Sequence, residues 1–261
     1  MNSKAIFSVG AVIILMFCSF GFLWKGNEKQ VPSKVNATET GIAVIELFTS
    51  EGCSSCPPAD ELLKDLKAVY AGKNVFVLAF HVDYWNYLGW KDRYGDATYS
   101  KRQQDYARQL NAEVYTPQMI VNGEKEFVGS NKSVAELSIS RALNGVSKNT
   151  IRFENSYEPE SGILKLTYHL SGVLENQLLN IAIVENETSS SVSRGENSGK
   201  KLHHVNVVRT FTTVNAKSTD EVGIKFPVDL DYKNAGIICY TQQKNSLQIN
   251  GVVAGQVTIK N

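Results

Sequence analysis

The sequence predicts an α/β domain over residues 41–147, followed by a small all-β, sandwich-like domain over residues 148–261. In the first region, short apolar runs rich in β-branched residues alternate with stretches of helical periodicity. In the second, short segments with alternating apolar and polar residues are separated by polar turns, which is typical of antiparallel strands. An uncharged run near the N-terminus predicts an apolar helix ahead of both domains.

That N-terminal run covers residues 5–24 and contains no charged side chain. It is long enough to cross a bilayer as a helix. A cleaved signal peptide is the alternative, although its apolar stretch is usually shorter, roughly 7–15 residues, and no A-x-A-like cleavage site follows here. We therefore interpret residues 1–25 as a membrane anchor or signal peptide and residues 26–40 as a flexible linker, and we expect the remainder to be exported. Phe17 precedes Cys18, where a lipoprotein signal would have a small residue, so we do not expect lipid attachment.

The first domain opens with a βαβ unit. Residues 42–48 and 75–80 are short apolar runs of the buried-strand type, and between them leucines recur at helical spacing. Pro57 and Pro58 fit the first turn of this helix, where a missing N–H costs nothing. Two strands joined by a helical crossover are expected to be parallel.

The rest of the first domain reads as a helix, a hairpin and a second helix. Residues 98–110 are helical in pattern, and Pro117 introduces a strand that ends at Asn122-Gly123, a strong hairpin turn into residues 124–128. A final helix spans residues 133–143, with Ser133 predicted as its N-cap and Glu136 at the capping-box spacing.

Composition excludes one class of function. The chain has 27 Lys and Arg residues against 26 Asp and Glu residues, which gives a formal net charge of +1, and no basic block occurs along it. Since nucleic-acid binding requires a basic patch, we expect no nucleic-acid partner.

The chemistry is concentrated in Cys53-Ser54-Ser55-Cys56, at a predicted strand-to-helix junction. A cysteine near a helix N-terminus is stabilised as the thiolate, which is the nucleophilic form. The second cysteine, about one helical turn later, is placed to attack a mixed disulfide and release the substrate. Half of a zinc site and a purely structural disulfide remain as alternatives, although no second close cysteine pair is present to complete a zinc site.

Several segments resemble the exported thioredoxin-like proteins of the DUF1223 family, from about residue 41 to the C-terminus. They are ELFTSEGCSSCPPAD at 46–60, HVDYW at 81–85, VYTPQMIVNG at 114–123 and RGENSGKKLH at 194–203, with Val208 and Arg209. The resemblance implies a thioredoxin-like fold for the first domain and an exported protein. It also implies that Thr116-Pro117 has a cis peptide bond beside the cysteine pair, where it shapes the contact with an extended substrate. A trans proline at the first residue of a strand is the alternative.

Glu46 is a candidate for proton transfer because it lies seven residues before Cys53. That is one position further away than the buried acid of thioredoxins, and a shift of one residue reverses the face of a strand. An exposed or salt-bridged carboxylate is therefore the alternative. Glu51 is nearer in sequence but is expected to be solvated.

Other candidates lie at or near strand ends. His81 and Asp83 follow the second strand, where open α/β sheets carry their sites. The aromatic residues after them are expected to cover the sheet or to line a substrate groove: Tyr84, Trp85, Tyr87, Trp90 and Tyr94. His203 and His204 would point to opposite faces of a strand, so we interpret them as structural. Cys239 fits a small apolar residue in a buried strand.

The sequence thus predicts an exported thiol-disulfide oxidoreductase in which Cys53 attacks and Cys56 resolves. Its partners would be protein thiols or disulfides, and no dissociable cofactor is required. One alternative is a binding module that keeps the fold as a scaffold. Another is a copper- or zinc-handling protein that uses Cys53, Cys56 and His81.

Overall fold

The computed structural model describes residues 40–260. The predicted anchor or signal peptide at residues 1–25, and all of the predicted linker except Thr40, lie outside the described residues. Across residues 40–260, no helix combines the length and the apolar character that crossing a membrane requires.

The described residues form a mixed α/β fold with one large mixed sheet and one small sheet. Its elements, in chain order, are β1 (Ala43–Thr49), α1 (Pro57–Val69), β2 (Val75–His81), a 3-10 helix (Asn86–Leu88), α2 (Ala97–Leu110), β3 (Gln118–Val121), β4 (Lys125–Val128), α3 (Lys132–Leu143), β5 (Asn149–Glu158), β6 (Ile163–Gly172), β7 (Gln177–Ser191), β8 (Lys201–Asn215), β9 (Thr219–Lys225), a second 3-10 helix (Tyr232–Asn234), β10 (Ala235–Gln243) and β11 (Ile249–Gln256).

The predicted βαβ unit and hairpin are both present. Strands β1 and β2 are parallel and are joined through α1, while β3 pairs antiparallel with β1 and with β4. The turn between β3 and β4 places Asn122 and Gly123 at φ values of 52° and 68°. Left-handed backbone at both central positions is what a two-residue hairpin requires, and Asn-Gly adopts it at low cost.

Most strands of the second half of the chain join the sheet of the first half, so the predicted all-β domain is not built from its own strands alone. The large sheet has the strand order β11-β10-β7-β8-β2-β1-β3-β4, so four strands from residues 148–261 continue the sheet of the first region. The junction is a parallel contact between Ala79 of β2 and Val207 of β8. The alternation of apolar and polar residues predicted these strands but not their pairing partners. The unpaired edge of β2 can pair with any strand, and the sequence pattern does not say which one.

Only β5, β6 and β9 form the second, antiparallel sheet. It packs on the β7, β10 and β11 part of the large sheet through a core that includes Leu166, Ile181 and Ile237. Helices α1 and α3 cover the same face further along, over β1, β2 and β3. Helix α2 packs on the opposite face, against Phe48, Phe80 and their neighbours.

Helix α3 begins one residue earlier than predicted and with a different cap. Asn131, not Ser133, is the N-cap, and its side-chain oxygen accepts a hydrogen bond from Val134 N at 3.2 Å. Both residue types favour this position, so the Ser-to-Glu spacing misled the prediction.

Candidate functional site

Cys53 and Cys56 are joined by a disulfide at the start of α1, with their Cα atoms 5.4 Å apart. Cys56 is the N-cap residue, and Pro57 and Pro58 occupy the first helical turn. The backbone N–H of Cys56 donates to the carbonyl of Cys53 at 3.2 Å, which closes a tight turn between the two cysteines. The pair therefore lies at the positive end of the helix dipole, where a thiolate is stabilised.

The connection between β7 and β8 is hydrogen-bonded to the disulfide turn. Cys53 and Cys56 are fully buried, whereas Ser54 and Ser55 between them are exposed. Asn197, itself buried, donates from Nδ2 to the carbonyl oxygens of Glu51 at 2.9 Å and Cys53 at 2.8 Å. Glu196 Oε2 accepts from Ser54 N at 3.1 Å. We name residues 192–200 the covering loop.

The Thr116–Pro117 peptide bond is cis, as expected from the sequence. Thr116 is held beside the disulfide turn, because its carbonyl accepts from Ser55 Oγ at 3.4 Å and its hydroxyl accepts from Trp85 Nε1 at 2.7 Å. Gly129 lets the proline pack closely: a Cβ there would lie 2.7 Å from Leu47 Cδ1 and 3.2 Å from Pro117 Cβ. The structure thus brings four of the predicted site residues together: Cys53, Cys56, Thr116 and Pro117.

Glu46 is on the other side of the sheet. Its neighbours Ile45 and Leu47 face α1, and because side chains alternate along a strand, Glu46 faces α2. Its carboxylate accepts from Arg102 Nη2 at 2.8 Å and from the hydroxyls of Tyr106 and Tyr240. Glu46 was predicted to transfer protons for the cysteines. The structure instead pairs it with Arg102, on the face of the sheet away from α1.

We name this group the Glu46 cluster: Glu46, Arg102, Tyr106, Tyr240 and Gln242. Gln242 Nε2 donates to Tyr106 Oη at 2.7 Å, so the members are linked to one another. Burial alone would lower the pKa of Arg102, but the Glu46 carboxylate raises it, and the guanidinium stays charged. Burial and Glu46 together raise the pKa of both tyrosines well above the usual value, in spite of the guanidinium.

A second buried polar group lies on the α1 face, next to the disulfide turn. We name it the Glu51 cluster: Glu51, Asp60, His81, Asp92 and His204. All five are at most 4% exposed. Glu51 was expected to be solvated, and this was wrong: Trp90 Nε1 donates to its Oε2 at 2.7 Å, and the covering loop closes over its backbone.

His204 lies between the two acids nearest the disulfide. Its Nε2 is 3.6 Å from Glu51 Oε1, and its Nδ1 is 3.6 Å from Asp60 Oδ1. Burial alone would lower the pKa of His204, but the Asp60 and Glu51 carboxylates outweigh burial and raise it to about 10. The ring is therefore an imidazolium at neutral pH. Burial opposes ionisation of Glu51, yet the contact with His204 lowers its pKa.

His81 and Asp92 form the other half of the cluster. His81 Nδ1 and Asp92 Oδ2 are 2.7 Å apart, and the same carboxylate oxygen accepts from Glu51 N at 2.9 Å. The His81 ring stacks edge to face on His204, with 4.8 Å between centroids. Burial opposes ionisation of Asp92, but its contact with His81 and these hydrogen bonds lower its pKa.

Of the remaining candidates near the end of β2, some contact the site and others do not. Trp85 and Trp90 each donate to a site residue, while Tyr87 is 78% exposed. Asp83 lies outside the cluster and accepts from Ser100 Oγ at 2.6 Å.

Among the other residues discussed above, His203 is exposed while His204 is buried, as the strand alternation requires. Cys239 is a free, buried cysteine, and burial raises the pKa of its thiol. Within residues 40–260, no three His, Cys, Asp or Glu side chains are arranged to hold a metal ion.

Sequence reasoning missed Asp60 and Asn197 and left His204 as structural. Asp60 carried a usable signal: it follows Cys56 by four residues, so the two share one face of α1, which is otherwise apolar there. Asn197 and His204 gave no such signal, because β8 pairs with β2 across a long sequence separation.

A mixed α/β fold with a disulfide-bonded C-x-x-C pair at a helix start defines the class of this protein. Residues 44–242 match the family described as "Protein of unknown function (DUF1223)", and the chain belongs to that family. No curated protein matches the sequence.

Two solved structures are similar over most of the chain. One is a protein from Agrobacterium tumefaciens, with 26% sequence identity and a TM-score of 0.63, which covers 86% of this chain and 98% of its own. The other is HBP35 of Porphyromonas gingivalis, with 15% identity and a TM-score of 0.58, covering 85% of this chain and 76% of its own. The second likeness concerns the fold alone.

Proposed function

We propose that this protein is an exported thiol-disulfide oxidoreductase built on a thioredoxin-like fold. The observation that carries the proposal is the Cys53–Cys56 disulfide at the N-terminus of α1, joined through Ser55 to the cis Thr116–Pro117 peptide. A structural bridge would not need a cis peptide group beside it. The helix start supplies the thiolate stabilisation, and the cis peptide group offers a position for an extended substrate.

In the reductive direction, the thiolate of Cys53 attacks one sulfur of a substrate disulfide. The substrate S–S bond breaks, a mixed disulfide with Cys53 forms, and the first substrate thiolate leaves and takes a proton from water. Cys56 then loses its proton and attacks the Cys53 sulfur. The mixed disulfide breaks, the Cys53–Cys56 bond forms, and the second substrate thiolate leaves. The oxidative direction is the reverse of these steps.

Access to the disulfide requires a movement of the structure around it, because both cysteines are fully buried. We propose that the covering loop moves, since it is the segment bonded across the turn. The loop is held over the turn by the two hydrogen bonds of Asn197 and the one of Glu196. A substrate backbone that approaches Thr116 would compete with the Ser55 contact. The partners we propose are therefore protein thiols or disulfides in extended, accessible segments.

Export is proposed from the N-terminus. The uncharged run over residues 5–24 supports either a membrane anchor or a signal peptide. In both cases the cysteine pair would reach an oxidising compartment, in which disulfides persist.

The test compares Cys53→Ser with Cys239→Ala in the full chain. We expect Cys53→Ser to lose exchange with a model disulfide by at least about a hundredfold, since the nucleophile is gone. Cys239→Ala should retain the parent rate, because Cys239 is buried away from the pair.

A Cys53→Ser protein that exchanges as fast as the parent would end the redox proposal and leave the binding module. Metal analysis of the reduced parent addresses the remaining alternative. Stoichiometric copper or zinc that disappears in Cys53→Ser would favour metal handling.

A further inference from the structure

Five polar atoms of the Glu51 cluster are buried without a hydrogen bond among residues 40–260. Four of them face one another as ion pairs at 3.6 Å, Glu51 Oε1 with His204 Nε2 and Asp60 Oδ1 with His204 Nδ1, and the fifth is His81 Nε2. Buried charges are normally hydrogen-bonded as well as paired, because an ion pair without close hydrogen bonds offsets little of its desolvation cost. Such loosely held charges beside a disulfide indicate groups kept for chemistry.

Two of the three carboxyl groups of the cluster, those of Glu51 and Asp60, are connected to the two ends of the disulfide turn. Asp60 N donates to the carbonyl of Cys56 at 3.2 Å, so Asp60 lies one helical turn beyond Cys56 on the same face of α1. Glu51 precedes Cys53 by two residues, and one Asn197 amide holds both of their carbonyls. His204 joins the two acids from β8.

The charged and titratable groups that face His204 come from every element packed around it. Glu51 lies in the turn after β1, Asp60 in α1, His81 at the end of β2, and Tyr94 in the segment before α2. Asp92, in the same segment as Tyr94, contacts His81. Within β7, Thr188 pairs with His204 in register and holds the Tyr94 hydroxyl at 2.7 Å. The imidazolium is thus the cation between two carboxyl groups.

We propose that Asp60, with His204 as its positioning residue, takes up the proton that Cys56 loses during resolution. This inference rests on the proposed exchange function. In the step concerned, the Cys56 S–H bond breaks and the proton passes to the Asp60 carboxylate. The Cys56 sulfur then attacks Cys53, and the Cys53–substrate bond breaks. The proton leaves the cluster with the substrate thiolate once the covering loop opens.

His204 acts through Asp60 because its Nδ1 lies 3.6 Å from Asp60 Oδ1, and a neighbouring cation favours the ionised form of a carboxyl group. His204→Gln removes that cation from between two buried acids. The resolution step should then become fast only at higher pH. A purely structural His204 would not shift the pH dependence of one step.

The experiment follows resolution of a mixed disulfide in the full chain between pH 5 and 9. The reduced protein is mixed with oxidised glutathione, and the adduct on Cys53 is quantified over time by acid quenching and mass spectrometry. We expect His204→Gln to resolve at least about tenfold more slowly than the parent at pH 6.5, and to approach the parent rate as the pH rises. The first step, measured as alkylation of Cys53, should change much less.

His203→Gln is the matched control, since His203 is the exposed neighbour on the same strand. It should reproduce the parent profile. Asp60→Asn is a second variant that removes the acceptor itself, and it should be slow at every pH without recovery.

The inference is overturned if the parent exchanges normally while His204→Gln follows the His203→Gln profile, or if Asp60→Asn resolves at the parent rate. A parent that forms no adduct on Cys53 at all would instead refute the exchange function on which the inference rests.

Discussion

Each face of the large sheet buries acidic side chains near β1, and the two faces differ in how those side chains are hydrogen-bonded. On the α2 face, the Glu46 carboxylate accepts hydrogen bonds from Arg102, Tyr106 and Tyr240. On the α1 face, His204 of the Glu51 cluster lies 3.6 Å from both Glu51 and Asp60 without a hydrogen bond to either. The ion pair of Glu46 is hydrogen-bonded, and those of His204 are not.

The difference separates a structural role from a functional one. A buried ion pair with every donor matched fixes the packing around it, and removing one partner is costly. The ion pairs of His204 lack hydrogen bonds and offset little of the cost of burying three charged groups, so a role in the reaction would explain why they are kept. The two clusters also differ in their relation to the disulfide, because only the Glu51 cluster is connected to the cysteine turn.

Arg102→Met should produce the largest change in stability. It leaves the Glu46 carboxylate buried without its cation, and we expect the free energy of unfolding to fall by about 3–5 kcal/mol. Urea denaturation of the oxidised protein measures this. Arg108→Met, an exposed position on the same helix, should cause no measurable loss. An Arg102→Met protein as stable as the parent would remove the structural role of the Glu46 cluster.

The Glu51 cluster should make stability depend on pH. The pKa of His204 is raised from an ordinary value near 6.5 to about 10, so its contribution is complete below pH 6.5 and is lost as the pH rises through 10. We expect His204→Gln to be less stable than the parent at pH 6.5, by on the order of 1–3 kcal/mol, and the gap to close toward pH 10.

Unfolding midpoints of the oxidised proteins across this pH range measure that gap, with His203→Gln as the control. Oxidised protein is required because free thiols titrate in the same range. A gap between parent and His204→Gln that stays constant with pH would contradict the charged state of His204.

Asn197→Ala should have the smallest effect on the free energy of unfolding. It should nevertheless make the Cys53–Cys56 disulfide measurably more accessible to reductants. It removes two hydrogen bonds from the covering loop, at a cost of about 1–2 kcal/mol. Reduction of the disulfide by a small dithiol should become several-fold faster, because the loop opens more readily. Ser198→Ala, in the same loop, is the control. Equal reduction rates for the two variants would show that the loop does not limit access.

The sequence predicted the elements around the cysteines well because they are local. Strand β1, helix α1 and the Asn122-Gly123 turn are each marked by residues within a short stretch of chain, whereas the cis Thr116–Pro117 bond was expected from the family resemblance. Glu46 was predicted as a proton-transfer residue, and the one-residue offset along the strand supported only the alternative of a salt-bridged carboxylate; the structure turns Glu46 toward α2 and pairs it with Arg102.

The sequence could not predict the contribution of the second half of the chain. His204 and Asn197 reach the cysteines because β8 pairs with β2 over a separation of more than a hundred residues, at Ala79 and Val207. Strand alternation shows that His204 and His203 face opposite ways, but not which neighbours each one meets. Glu51 was expected to be solvated for the same reason, because the covering loop that buries it comes from the other half.

The most direct test of the division between the two clusters is the rate of mixed-disulfide resolution at pH 6.5, per folded molecule, in Arg102→Met and His204→Gln side by side. The account predicts that Arg102→Met keeps the parent rate despite its lower stability, while His204→Gln is at least about tenfold slower. Equal losses in both variants, or rates that follow stability alone, would contradict it.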